Sequence, residues 1–254
     1  MLNSKSIKNS SLRNNEYYHL QSRFDNLYKD SLNGGNFNHL MKLILSKDNI
    51  MLAYRNIKKN KGSITSGVSK ETIKDIEVID NNIVIETIRN KITDYKPKAV
   101  RRVEIPKPNG KKRPLGIPDI WDRLIQQCIL QVLEPICEAK FHERNKGFRP
   151  NRSTENAIAQ CAKMINKQHL YYVVDIDIKG FFDNVNHSKL IKQLWHMGIR
   201  DKTLICIIKQ MLKAPILMPN GEMVNPTKGT PQGGILYLLL SNICFNELDW
   251  WVSS

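Results

Sequence analysis

The sequence has no long apolar run. The longest one, residues 235–245, is interrupted by Ser241 and Asn242 and is shorter than the roughly 18–20 residues that cross a bilayer. The first ten residues lack the apolar core of a secretory signal. The sequence therefore predicts neither a transmembrane helix nor a secreted protein.

Cysteines are few and widely spaced. No two of the five stand at metal-ligand spacing, which argues against a structural zinc site. Several fall on apolar helical positions, so we interpret them as small core residues in a reducing cytoplasm. They are Cys128, Cys137, Cys161, Cys206 and Cys244.

Acidic residues are strongly outnumbered. Twenty-four Asp and Glu against 39 Lys and Arg give a net charge of +15, which predicts a polyanionic partner, most simply nucleic acid. An anionic membrane surface is the competing partner, but no basic amphipathic helix supports it. At 254 residues the chain can form one large domain or two small ones.

The first half of the chain predicts helices followed by a hairpin. Residues 1–36 read as a basic, mobile leader with a short helix near residues 17–28. Helical pieces are expected over residues 38–59. A basic hairpin follows, in which one strand ends at Pro106 and the other covers residues 113–117.

The second half predicts a long buried helix and a further series of helices. Asp119 is expected to cap a helix over residues 119–140 that lies beneath a sheet. A helix from about Ser153 should bury Ala157, Ile158, Cys161 and Ile165. Helices near residues 188–198 and 200–213 follow an acidic strand, and the alternation predicts an α+β fold.

That acidic strand carries the strongest chemical signal. Residues 172–179 read as a buried strand that ends at a sharp turn through Gly180. Because strand side chains alternate, Asp175 and Asp177 point to the same face. A buried acid is costly unless a cation compensates it, so the pair suggests a metal site. The alternative is a plain strand end in which one Asp caps the turn.

The basic hairpin can bind phosphates. Lys107 and Arg113 flank its turn, and two cations held at one point suit a triphosphate. The alternative is a solvated, charged β-arm. Arg149 and Arg152 precede the helix near Ser153, whose N-terminus favours anions; an ordinary capping loop is equally consistent with this segment.

Residues 229–234 form a glycine-rich loop, Gly-Thr-Pro-Gln-Gly-Gly. Glycines let the backbone approach a ligand closely, and the Gln232 amide can contact a base, sugar or phosphate. The alternative is a plain turn before an apolar helix.

Taken in order, these segments resemble the reverse transcriptases encoded by group II introns, the intron maturase family. The similar stretches are residues 58–63, 101–118, 147–152, 174–187 and 229–236. The resemblance implies a right-hand polymerase fold with RNA-templated DNA synthesis and a role in splicing. The implied parts are fingers (37–118), a first palm part (119–189), a second fingers part (190–230) and an incomplete second palm part (231–254).

The resemblance also assigns roles to residues. Asp177 corresponds to the first catalytic aspartate, which binds two Mg²⁺ ions, and the Ile178 carbonyl is its neighbouring metal ligand. Phe182 corresponds to the aromatic gate that favours deoxynucleotides. The other residues that contact the deoxynucleoside triphosphate are Lys107, Arg113, Pro231, Gln232 and Gly233.

The expected partners are intron RNA and an RNA template with its DNA primer. The basic residues expected at RNA are Lys58, Lys59, Lys61, Arg101, Arg102, Lys111, Lys112, Arg149 and Arg152. An exposed apolar palm surface would also permit a homodimer.

Two departures from the family pattern qualify this picture. The family usually has Ser-Pro-Leu-Leu after the glycine loop, whereas this sequence has Tyr-Leu-Leu-Leu at residues 237–240. We expect this difference to change the packing at the start of the following helix without loss of chemistry. The family's Tyr-x-Asp-Asp hairpin is absent from the sequence, and Glu247 and Asp249 read as surface residues of a helix. The two-metal site is then incomplete, and the chain alone should not polymerise.

The alternatives to this interpretation are an RNA-binding splicing cofactor without polymerase activity, or a retron-like or diversity-generating reverse transcriptase.

Overall fold

The computed structural model describes residues 14–106, 108, 110, 112–230 and 233–253. The helices are α1 (Asn14–Tyr17), α2 (Gln21–Leu32), α3 (Leu40–Ile44), α4 (Lys47–Lys59), α5 (Ile73–Glu77), α6 (Asn81–Thr93), α7 (Ile120–Glu138), α8 (Thr154–Gln168), α9 (Phe181–Asn184), α10 (His187–His196), α11 (Lys202–Leu212) and α12 (Tyr237–Ser253). The strands are β1 (Val100–Pro106), β2 (Lys112–Ile117), β3 (Ile216–Leu217) and β4 (Met223–Val224), and a 3₁₀ turn covers Lys61–Ile64.

Helix α7 is the centre of the core. Its N-cap is Asp119, as predicted, and the side chain accepts a hydrogen bond from the Trp121 backbone N–H. The helix packs against α2, α3, α4, α6 and α12, so the expectation that it lies beneath a sheet was wrong. Its buried residues surround the helix instead of forming one stripe, which requires neighbours on several sides.

The hairpin prediction is confirmed. Strands β1 and β2 pair antiparallel, with Val103 opposite Leu115. Gly110 has a φ of 75°, the left-handed conformation that the turn requires; Asn109 lies outside the described residues. Strand β3 extends the sheet parallel to β1, and β4 pairs with β3.

Helix α8 starts where the sequence predicted, but it does not pack as predicted. Ser153 caps it by accepting a hydrogen bond from the Asn156 N–H. None of its residues is buried, and Ile158 and Cys161 are exposed. In the part of the chain that the structure describes, no element covers the apolar face of α8. The spacing of apolar residues predicts which face a helix can bury, but it does not provide the neighbouring element that buries it.

Helices α10 and α11 pack against each other, with α10 also on α12 and α11 also on α3. Helices α10 and α11 follow the predicted ranges closely. A backbone bridge joins Phe37 to Ile199 and ties the N-terminal half to this region. Of the cysteines, Cys128 and Cys137 are buried as expected, whereas Cys206 is exposed like Cys161. Among the described residues no helix is both long and apolar enough to cross a membrane.

Candidate nucleic-acid interface and catalytic segment

The acidic segment is not a buried strand. Residues 171–180 are all exposed and form no strand, and the Tyr172 side chain is 99% exposed. A strand forms only when a neighbour accepts and donates its backbone hydrogen bonds, and no described strand pairs with this segment. Asp175, Asp177 and Ile178 therefore lie on exposed chain outside any helix or strand.

The turn after this segment is ordered by two motifs that meet. Gly180 has a φ of 62°, and its carbonyl accepts a hydrogen bond from Asn184 Nδ2 at 2.9 Å. The Thr230 N–H donates to the Phe182 carbonyl at 2.7 Å, and the Gly229 N–H donates to the Val185 carbonyl at 2.8 Å. The predicted aromatic gate and the start of the glycine loop are therefore neighbours.

Gly229 is required by this contact. Its φ is 86°, and a Cβ there would lie 2.9 Å from the Asp183 carbonyl oxygen. His187 Nε2 also forms a 2.7 Å hydrogen bond with the Gly229 carbonyl. A side chain at position 229 would thus separate the glycine loop from the turn.

The basic hairpin approaches the same place. Arg102 of β1 lies 3.9 Å from the Asp183 carboxylate. A Cβ on Gly233 would collide with the Gly116 carbonyl of β2, so the end of the glycine loop lies directly on this strand. Arg113 is exposed on the same strand. Lys107, Lys111, Pro231 and Gln232 lie outside the described residues.

Helix α7 holds the loops around this junction, and sequence reasoning missed this role. Gln126 Oε1 accepts a hydrogen bond from the Ile235 N–H at 2.9 Å. Arg123 donates to the carbonyls of Gly62 (2.9 Å) and Thr65 (2.6 Å). Polar residues within an otherwise apolar helix were the signal that could have revealed it.

A buried carboxylate at the start of α7 supports the hairpin's base. Asp122 accepts hydrogen bonds from the Tyr95 hydroxyl (2.9 Å) and the Lys98 backbone N–H (3.0 Å). Burial raises the pKa of Asp122 to about 6, although these two hydrogen bonds oppose the shift. The group therefore fixes the segment that enters β1.

The expected RNA-binding residues fall into different environments. Lys59, Lys61 and Arg152 are exposed. Lys58 lies 3.6 Å from Glu77, and Lys112 lies 2.7 Å from Glu104 on the surface of the hairpin. The Arg101 guanidinium donates to the Ser66 carbonyl, so it has a structural contact besides any role at RNA.

Arg149 has a structural partner and is not at the surface. Its side chain is 3% exposed and pairs with Glu138 at 2.9 Å. The guanidinium also donates to the carbonyls of His142 and Asn145. Arg149 thus anchors its loop to α7, which favours the capping-loop alternative for this residue. The neighbouring Phe148 is exposed instead.

Tyr237 accounts for the first departure from the family pattern. It is buried at the start of α12, and its hydroxyl donates to the Met211 carbonyl at 3.0 Å. The ring fills the space beside Gly234. The expected packing change is therefore a contact between α12 and α11. Glu247 is exposed and pairs with Lys189, whereas Asp249 accepts a hydrogen bond from Asn145.

The carboxylates do not form a magnesium site by themselves. Among the described residues, no group of three or more His, Cys, Asp or Glu residues is placed to hold a metal ion. Asp183 faces Arg102, and Asp175 and Asp177 lie on the exposed segment. The carboxylates of the described residues therefore do not by themselves complete a site for two Mg²⁺ ions.

Comparison with known proteins identifies relatives of this chain. Residues 105–254 match the family model described as reverse transcriptase (RNA-dependent DNA polymerase). The chain is 38% identical over 217 residues to the group II intron-encoded protein LtrA of Lactococcus lactis subsp. cremoris, covering 85% of this chain and 35% of LtrA. It is 31% identical over 232 residues to the putative COX1/OXI3 intron 1 protein of Saccharomyces cerevisiae, covering 90% of this chain and 27% of that protein.

A solved structure shares the fold. The partial Cas6-RT-Cas1–Cas2 complex superposes with a TM-score of 0.53 at 22% identity, over 84% of this chain and 35% of that one. The chain spans about a third of the length of LtrA. The family match covers more than half of the chain, and the chain therefore belongs to the reverse transcriptase (RNA-dependent DNA polymerase) family, in the branch that includes the proteins encoded by group II introns.

Proposed function

We propose that this chain supplies the fingers and the first part of the palm of a group II intron reverse transcriptase, which binds intron RNA and copies an RNA template from a DNA primer. The observation that carries the proposal is the junction of the hairpin, the Phe182 turn and the glycine loop. Three separate motifs meet there, as a nucleotide site requires. The boundaries of the fingers and palm parts, at residues 37, 119, 190 and 231, belong to this proposal.

Within the junction, Arg113 and Lys107 would bind the phosphates of the deoxynucleoside triphosphate. Phe182 would contact its sugar, and Pro231, Gln232 and Gly233 would shape the pocket. Asp177 and the Ile178 carbonyl would hold Mg²⁺ together with carboxylates that these 254 residues do not supply. When bound, the metal would stabilise charge on the transferred phosphate. We propose the cytoplasm as the location.

Primer extension tests the enzymatic part. The purified 254-residue chain, given Mg²⁺, a primed RNA template and deoxynucleotides, should not extend the primer, because its metal site is incomplete. The Asp177→Ala variant, purified in the same way, is the control: a contaminating polymerase would extend the primer equally in both samples. Extension by the parent chain that disappears in this variant would contradict the incomplete site.

A second candidate is an RNA-binding splicing cofactor without polymerase activity. It is favoured by the net charge of +15 together with the exposed, unpaired segment that carries Asp177. Both candidates require salt-dependent RNA binding. The relatives encoded by group II introns favour the intron branch over the retron-like alternative.

RNA binding can be tested through the hairpin. The double substitution Lys111→Gln and Lys112→Gln should weaken binding to intron RNA and reduce the slope of log K against log salt by about 1 per lost phosphate contact. Lys96→Gln, which also removes an exposed charge, is the matched control. Asp177→Ala should leave RNA affinity unchanged; a loss in that folded variant would show that the two roles are not separate.

A further inference from the structure

Phe148 is an exposed aromatic residue in the loop between α7 and α8. Its side chain is 63% exposed, and its φ of 52° lies in the left-handed region, which residues other than glycine seldom adopt. The surrounding contacts must offset the cost of this backbone conformation. Phe148 belongs to neither the hairpin, the Phe182 turn nor the glycine loop, so the proposed nucleotide site does not account for it.

The residues on either side of Phe148 are fixed to two helices. On one side, the buried Asn242 of α12 donates a hydrogen bond from Nδ2 to the Gly147 carbonyl at 2.8 Å. On the other side, the buried Arg149 pairs with Glu138 of α7 at 2.9 Å. Because both neighbours are held, the core of the protein imposes the exposure of the Phe148 ring.

The loop around Phe148 has an excess of positive charge. Residues 140–155 contain five Lys and Arg, against the two acidic residues Glu143 and Glu155. One of the five, Arg149, is compensated by Glu138 inside the protein, whereas Arg144 and Arg152 are exposed. This distribution favours a polyanionic ligand over a basic protein surface.

An exposed aromatic ring with cations beside it is suited to single-stranded nucleic acid. Bases stack on such rings, and the cations bind the phosphates between those bases. In a duplex, the neighbouring base pairs cover the faces of each base, so a protein ring reaches only an unpaired one. The ring therefore selects single strands, which the cations alone would not do.

We propose that Phe148 is a stacking platform for an unpaired base of the bound RNA, with Arg144 and Arg152 facing the phosphates on either side of that base. The platform accepts any of the four bases, because each has a flat face that can stack. The inference rests on the proposed RNA-binding function and assigns it a contact that does not depend on charge.

Salt dependence separates the ring from the cations. The probe is a fluorescently labelled single-stranded RNA of about 12 nucleotides, titrated with the full 254-residue chain by anisotropy at several salt concentrations. Phe148→Ala should weaken binding about tenfold with an unchanged slope of log K against log salt, because no phosphate contact is lost. Arg152→Ala should instead lower that slope by about 1.

Three further measurements serve as controls. Phe148→Trp should bind single-stranded RNA as the parent chain does, since its ring can also stack. Ile83→Ala removes a side chain that is 58% exposed on α6 and should leave RNA affinity unchanged. Duplex RNA of the same length should bind equally to the parent chain and to Phe148→Ala.

Several results would overturn the platform. These are parent-like binding of single-stranded RNA by folded Phe148→Ala, an equal loss for duplex RNA, or a loss that Phe148→Trp does not restore. Tighter binding of an acidic peptide than of RNA, abolished by Phe148→Ala, would identify a protein partner instead. If Phe148→Ala unfolds, Phe148→Leu removes the ring while it keeps apolar bulk, and the same loss is expected.

The two proposals fail in different ways. RNA binding by the parent chain that is insensitive to the Phe148 variants would refute only the platform. A parent chain that does not bind RNA at all would refute the proposed function and the platform with it.

Discussion

Helices α7 and α8 are consecutive, similarly capped and both amphipathic, yet they differ in what surrounds them. Fourteen residues of α7 are buried, and α8 has none. Asp119 and Ser153 each satisfy a backbone N–H at the start of the helix. The comparison shows that local signals determine where a helix begins, whereas its contribution to stability depends on the neighbours that cover its apolar face.

The same difference separates two kinds of functional residue. Residues of α7 itself, such as Gln126 and Arg123, hold the neighbouring loops by hydrogen bonds. Asp177, which follows α8, is on chain without a strand partner. The scaffold of the proposed site thus has contacts that do not involve Asp177, the proposed catalytic carboxylate, and variants of the scaffold and of residues 171–180 should behave differently.

The largest expected contrast is between matched isoleucines. Ile129→Ala in α7 should lower the free energy of unfolding by about 4 kcal/mol, since Ile129 is fully buried. Ile158→Ala in α8, where the side chain is 64% exposed, should cost less than about 0.5 kcal/mol. Urea denaturation followed by circular dichroism measures both. A similar loss in the two variants would mean that α8 is packed in solution.

A pair of arginines in one loop sharpens the comparison further. Arg149→Ala should destabilise the chain by about 3 kcal/mol because it leaves Glu138 partly buried without its partner. Arg152→Ala removes an exposed charge and should affect RNA affinity more than stability. Thermal unfolding and RNA filter binding, applied to both variants, report the two effects. Equal stability of the two variants would refute the anchoring role of Arg149.

Two glycines with left-handed backbone test the junction itself. Gly229→Ala should cost about 2 kcal/mol, from the backbone conformation and from contact with the Asp183 carbonyl. Gly221→Ala has a similar φ but open space around it, so about 1 kcal/mol is expected. Chemical denaturation gives both values. If the two losses match, position 229 does not need close contact with the Phe182 turn.

The smallest effect concerns pH. Because the folded-state pKa of Asp122 is raised to about 6, the folded chain binds this proton more tightly than the unfolded chain. The contribution of Asp122 to stability therefore falls as pH rises from about 4 to 6, by about 1 kcal/mol between pH 5 and 6. The stability difference from Asp122→Asn should change accordingly, while exposed Asp94→Asn serves as control. A difference that is constant with pH would contradict the shift.

The sequence predicted the elements better than their surroundings. The Asp119 cap, the hairpin around Gly110 and the start of α8 followed from local rules that involve a few residues. Arg149 is buried because it pairs with Glu138, eleven residues earlier in the chain. Residues 171–180 are exposed because no described strand pairs with them. Neither fact can be deduced from the local sequence. The meeting of Phe182 with Thr230 was implied only by resemblance, since no local pattern links residues so far apart.

The exposed segment at residues 171–180 also makes the backbone easy to cut. A protease binds extended, accessible chain, and Tyr172 offers chymotrypsin an aromatic side chain that is almost fully exposed. The two pieces would remain joined, because α12 packs on α7, α11 packs on α3 and β3 pairs with β1. Helices α11 and α12 stay in one piece, and α7 belongs to the other. The chain could then be produced as two complementary halves that reassemble through their shared core.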